Sequence, residues 1–136
     1  MKKNTKKYIL WEKKNLAKFF IPEKIEIENL CQPLIERFKK IHINKNPGKE
    51  YNYLIDIYIK WRGNYIYFLA KYRTGKNAMV EQEFDEGFVR LEYVKNDSFN
   101  LSYFRHTGKW FTVANSLSLK NCLEMIEQIP TFHPIP

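Results

Sequence analysis

Aromatic rings alternate with cations through the middle of the chain: Tyr58, Lys60 and Arg62, then Tyr65, Tyr67, Lys71 and Arg73, then Arg90, Phe104 and Trp110. Rings stack on unpaired bases at about 1–3 kcal/mol each while cations follow the phosphates, which is the chemistry of a surface for single-stranded RNA or DNA. Exposed Tyr, Trp and Arg are also the usual anchors of a protein interface, with a partner or with a second copy of the chain. Asp56 and Glu92 fall among these residues and oppose a polyanion.

Catalytic arrangements fare worse. Glu81, Glu83, Asp85 and Glu86 alternate as a hard-cation site could, but no Gly-punctuated calcium loop surrounds them, and a solvated loop is expected. Asp56, Glu92 and Lys95 are similar to the acid, acid and lysine of metal-dependent nucleases. There the last two lie one residue apart on a strand and share a face, whereas here two residues separate them and they point to opposite faces. His42, His106 and His133 show no HxH or HExxH spacing and are expected at the surface of a loop, a turn and the tail. Gly-rich phosphate loops and GxSxG elbows are absent from the sequence. The expectation is a non-enzymatic binding module with no metal and no cofactor.

The elements that must position the rings are five extended runs within residues 51–113. Tyr51–Trp61 and Tyr65–Tyr72 flank Arg62-Gly63-Asn64, and Gly-Asn is a two-residue hairpin loop. That loop pairs Trp61 with Ile66, Ile59 with Phe68, Ile57 with Ala70 and Ile55 with Tyr72 on an apolar face. The other face then holds Arg62 with Tyr65, Lys60 with Tyr67, Tyr58 with Leu69, Asp56 with Lys71 and Leu54 with Arg73. A loop of Asn96, Asp97 and Ser98 sets Tyr93 against Leu101 and Leu91 against Tyr103 inside, with Arg90, Glu92, Ser102 and Phe104 outside. The alternative two-residue loop would put Glu92 beside Leu101. A loop of His106, Thr107 and Gly108, with positive φ at Gly108, pairs Tyr103 with Phe111 and Leu101 with Val113, and brings Phe104 beside Trp110.

Helices are expected on both sides of this sheet in sequence. Tyr8, Trp11, Leu16, Phe19 and Phe20 are spaced helically over residues 5–20, and Pro22 opens a second helix to about Ile41 that Pro33 kinks or splits. Residues 42–50 and 73–87 read as loops. Ser118 caps a helix over 119–128 with Leu119, Cys122, Leu123 and Ile126 on its apolar side, and an irregular tail follows Pro130. The N-terminal helices are sufficient to cross the basic-aromatic face and bury its rings, an expectation that competes with a binding role.

Composition sets wider bounds. The 136 residues are expected to form one α+β domain, in which residues 1–50 are a basic helical segment, 51–113 a five-stranded antiparallel meander and 114–136 the closing helix and tail. The net charge is +8, with 13 cations against 6 acids in residues 1–50, and 18 of the 23 cations are Lys, a hydrated point charge rather than a phosphate fork. Cys31 and Cys122 lack CxxC spacing, so a reducing, cytoplasmic setting is expected. The lysines of residues 2–7 are followed by only Ile9, Leu10 and Trp11, too short for a leader, and no run approaches the roughly 18 apolar residues of a membrane span, so a soluble protein without a membrane role is expected.

The succession Phe88-Val89-Arg90-Leu91-Glu92-Tyr93-Val94, Phe99-Asn100-Leu101-Ser102-Tyr103-Phe104-Arg105, Gly108-Lys109-Trp110, a closing helix and Pro130-Thr131-Phe132 resembles an uncharacterised bacterial family, domain of unknown function 3024. The resemblance covers roughly residues 51–132 and implies a helical start, an early Gly-Asn hairpin and a terminal helix. Phe99 stands where that pattern would have Trp, and the basic N-terminal segment departs from it too. The family implies architecture and no chemistry. Function is therefore expected from the ten ring and cation positions, as a single-stranded nucleic-acid surface or, alternatively, as a partner or homodimer interface.

Overall fold

A computed structural model describes residues 23–136. The helix expected over residues 5–20 lies outside them. Helix α1, Lys24–His42, buries Ile27, Cys31, Leu34, Ile35 and Phe38, one stripe recurring at helical spacing. Glu26 in its first turn and Lys39, Lys40 and His42 in its last oppose the partial charges of the helix ends. Helix α1 runs unbroken through Pro33, so of the two expected outcomes, a kink or a split, the split does not occur. Pro33 and Asn29, whose carbonyl loses its intrahelical donor, are both exposed, so water can satisfy that carbonyl.

Five strands follow as an antiparallel meander: β1 Tyr53–Arg62, β2 Tyr65–Arg73, β3 Glu83–Lys95, β4 Ser98–Phe104 and β5 Trp110–Leu117. The first turn forms as its residues dictate. Gly63 takes φ 61° and Asn64 stays at negative φ, the pattern of a type II′ hairpin. From Asp56 opposite Lys71 to Arg62 opposite Tyr65 the register is the expected one. A bulge at Ile55 then shifts it, so that Leu54, not Ile55, faces Tyr72 in the core.

The third turn corrects the sequence expectation. Strands β3 and β4 end at Lys95 and Ser98, leaving the two-residue loop Asn96-Asp97, with Asp97 at φ 48°. A bulge at Val94 absorbs the parity error, so Tyr93 faces Phe99, Leu91 faces Leu101, Val89 faces Tyr103, and Glu92 meets Asn100. The core face is the one expected, but the strands are offset by two residues. At the fourth turn Gly108 has φ 84°, and Phe104 faces Trp110 and Tyr103 faces Phe111 as expected, while a shift pairs Leu101 with Ala114 rather than Val113.

The acidic run also differs from expectation: Glu83 and Asp85 belong to β3, opposite Arg73 and Lys71. Cross-strand ion pairs, Arg73–Glu83 at 2.7 Å and Lys71–Asp85 at 3.8 Å, prolong the hairpin where a loop was expected.

Helix α2, Leu119–Gln128, begins at Ser118, whose Oγ accepts a hydrogen bond from the Asn121 backbone N–H at 3.1 Å. The tail is more ordered than expected. Pro130–Phe132 forms a 3₁₀ turn, Phe132 is buried, and the Tyr72 hydroxyl donates to the Ile135 carbonyl at 2.6 Å. The buried stripes of α1 and α2 join Ile57, Ile66, Phe68, Val89, Leu91, Phe99 and Leu101 in one core, so both helices lie on the apolar face of the sheet in a single α+β domain. No helix among the described residues is long and apolar enough to cross a membrane. Cys31 and Cys122 are buried free thiols, each pushed up to about 12 chiefly by that burial.

His42 and His133 are half-buried rather than at the surface. Their rings lie 5.0 Å apart, both against Phe38, at 5.2 and 4.8 Å. Burial, then the neighbouring His133, lowers the His42 pKa. The unfolded chain therefore takes the proton first. Folding stability is unaffected by this group above about pH 6.5, the ordinary imidazole value, and falls as pH drops through and below it. Urea midpoints at pH 7.5 and 5.5 should show this decline, and His42→Gln should flatten it.

Candidate functional site

The face of the sheet opposite the helices carries all ten ring and cation positions singled out from the sequence. The register orders them in rows: Arg62, Tyr65, Glu92 and Asn100; Lys60, Tyr67, Arg90 and Ser102; Tyr58, Leu69 and Gly87; Asp56, Lys71 and Asp85; and Arg73 with Glu83, while Phe104 faces Trp110 at the far side. None of the described helices crosses this face. The expectation that helices bury these rings does not hold for α1, which packs its stripe on the other side. The remainder of the expected N-terminal cover lies outside the described residues.

The ten positions divide into three sets by what they touch. Lys71 and Arg73 are engaged with Asp85 and Glu83, and Tyr58 sits beside that pair, 5.9 Å from the Lys71 ammonium, its pKa raised by burial and then by a hydrogen bond to Asp85. Here each cation has its own carboxylate.

Arg90 is held between rings, its guanidinium carbon 4.8 Å from the centroid of Tyr65 and 4.8 Å from that of Trp110. Its Nε is buried with no hydrogen-bond partner, so the residue fixes the two rings rather than reaching freely into solvent. Burial, and secondly Glu92, raises the Tyr65 pKa. The Glu92 carboxylate itself accepts hydrogen bonds from the amides of Asn100 at 3.0 Å and Asn64 at 3.4 Å.

Lys60, Arg62, Tyr67, Phe104 and Trp110 form the third set. Lys60 and Arg62 are exposed, and among the described residues no carboxylate lies within 4.0 Å of either. Arg62 leans over Tyr67 at 5.8 Å, Tyr67 meets Trp110 edge-on at 5.7 Å, and Phe104 stacks on Trp110 at 5.2 Å with planes 19° apart. With Leu69 and Gly87 these five residues line a slot of about 240 Å³.

Two residues of the slot floor are not among the ten. A Cβ on Gly87 would stand 3.2 and 3.3 Å from two carbons of the indole, so the missing side chain lets Trp110 lie close to the sheet. A lone glycine inside a strand marks such a close approach, and that signal is present between Glu86 and Phe88. Leu69 carries none.

Two larger depressions lie elsewhere. One of about 500 Å³ between α1, α2 and the β3–β4 turn is mostly apolar, and one of about 1,020 Å³ joins the start of β3, the β4–β5 turn and the tail. Of the ten positions only Phe104 lines either. No group of three or more His, Cys, Asp or Glu among the described residues is placed to hold a metal ion.

Residues 21–134 match a family model described as domain of unknown function (DUF3024). No curated protein and no solved structure matches the chain.

Proposed function

We propose that this chain, which belongs to the DUF3024 family and takes no activity from that membership, is a non-enzymatic module that binds single-stranded nucleic acid on the sheet face that none of the described helices covers. One observation carries the reading: Lys60 and Arg62, without a carboxylate partner among the described residues, stand at the rim of a slot walled by Tyr67, Phe104 and Trp110. Rings for bases and exposed cations for phosphates converge there. The carboxylates of the face are occupied: Asp56 with Lys39 at 3.5 Å, Asp85 with Lys71, Glu83 with Arg73 and Glu92 with two amides. That suits a structural role for them better than acid–base chemistry.

Fluorescence anisotropy with labelled single-stranded RNA and DNA at about 50 and 200 mM salt tests this, because phosphate contacts impose a steep salt dependence. Replacing Lys60 and Arg62 together by Gln should flatten the slope of log affinity against log salt by about 1.4, at roughly 0.7 per phosphate contact on a single strand. Absence of binding at the lower salt would end the proposal.

A second reading has its own observation. Strand β5 is an edge of the sheet, carries no charged residue, and exposes Phe111 and Val113 at 42% and 41%. An uncharged, partly apolar edge is a template for pairing with another chain. A solution mass above 16.5 kDa, falling to that value when Val113→Lys charges the edge, would favour a homodimer interface instead.

A further inference from the structure

We infer, resting on the nucleic-acid reading, that the slot is a site for one nucleotide: its base laid against the rings of Tyr67, Phe104 and Trp110, its phosphate at Lys60 and Arg62. Size comes first. At about 240 Å³ the slot is below the roughly 300–1,000 Å³ of pockets that take drug-sized ligands, so it suits a single ring system and excludes a stacked pair of bases.

Its walls fit that occupant. Leu69 adds an apolar side chain to the lining, Gly87 lets the indole lie against the sheet, and Trp110 is held in place before any ligand arrives, by Arg90 at 4.8 Å and Phe104 at 5.2 Å. A preformed aromatic wall spares the cost of ordering a side chain on binding. Charge sits only at the rim, where Lys60 and Arg62 would meet the phosphate of a nucleotide whose base points inward. An unphosphorylated nucleoside would leave these cations unused, and inorganic phosphate would leave the rings unused. Elsewhere on the face Lys71 and Arg73 are paired to Asp85 and Glu83 and Arg90 is held between Tyr65 and Trp110, so the rest of it adds rings but little free charge. The slot is thus the point at which a strand is gripped.

The same chemistry could be presented by a free nucleotide or by one residue of a strand, and competition separates them. Adenosine 5′-monophosphate, adenosine and inorganic phosphate are each titrated against the full chain carrying a fluorescent single-stranded RNA 10-mer, and separately against the free protein by calorimetry. The expected result is displacement by the monophosphate at a concentration about 5- to 150-fold lower than phosphate requires, the factor that stacking one base supplies. Gly87→Val, which wedges the indole outward, should abolish binding of the monophosphate and weaken the 10-mer about as much as Trp110→Ala does, while the salt slope of the remaining 10-mer binding is unchanged. A 10-mer that binds but is displaced no better by the monophosphate than by phosphate overturns the slot and leaves the sheet face standing. Monophosphate binding without 10-mer binding supports the slot and overturns the strand reading. If neither binds, both fall.

Discussion

Trp110→Ala is expected to weaken single-stranded RNA or DNA binding roughly 5- to 150-fold, the equivalent of about 1–3 kcal/mol of lost ring contact. The indole does three things at once: it walls the slot, stacks on Phe104 and holds Arg90. Its removal leaves the domain intact, because Trp110 begins an edge strand on the face away from the core. An unchanged circular dichroism spectrum and a urea midpoint close to the parent's should accompany the loss of affinity. Arg90 offers a contrast that separates positioning from charge. Arg90→Lys keeps the charge but loses the planar contact to two rings, so it should lower affinity with little change in salt slope, whereas the Lys60 and Arg62 replacements act through the slope. Equal affinities for the parent and Trp110→Ala would remove the slot from any account of binding.

Phe38→Ala is expected to cost about 3–5 kcal/mol of stability. The ring is 1% exposed and ties three parts together, lying 6.4 Å from Phe88 of β3, 4.8 Å from His133 of the tail and 5.2 Å from His42 at the end of its own helix. A cavity there would loosen α1 from the sheet and the tail from both. Against a total of roughly 5–15 kcal/mol, that loss should lower the melting temperature by about 10–20 °C. Loss of packing also opens His42 to water, so its pKa should climb back towards the ordinary value and the acid-side decline in stability should shrink. A melting temperature within a few degrees of the parent's would show that the helix layer is not held where the ring suggests.

Side-chain alternation makes the two faces of the sheet legible from the residues alone. Trp61, Ile59 and Ile57 opposite Ile66, Phe68 and Ala70 can point only one way once Gly63-Asn64 forms the turn, and Lys60 and Tyr67 must then share the other side. The turn at Asn96-Asp97 shows the limit of that logic. Parity demands an odd loop, and a loop of three residues and a loop of two with a bulge at Val94 satisfy it equally. The register that forms sets Tyr93 edge-on against Phe99, 5.7 Å away, a contact between strands that no local pattern encodes. The acidic run departs from its reading as a loop for a related reason: Glu83 and Asp85 alternate as strand residues do, and their partners across the ladder, Arg73 and Lys71, belong to the preceding strand β2.

The candidate site divides along the same line. Sequence alone determined the fold class, the meander, the capped closing helix, and the membership of all ten rings and cations in one face, because turn chemistry and a period of two are local properties. Tertiary structure alone decided that α1 lies across the apolar face, that Lys71 and Arg73 are paired, that Arg90 is held between Tyr65 and Trp110, and that Gly87 lets the indole settle beside Lys60 and Arg62. Each of these depends on which residues distant in the chain come within a few ångströms. That is set by bulges and by packing against neighbouring strands, where a shift of two residues preserves every face and changes every partner.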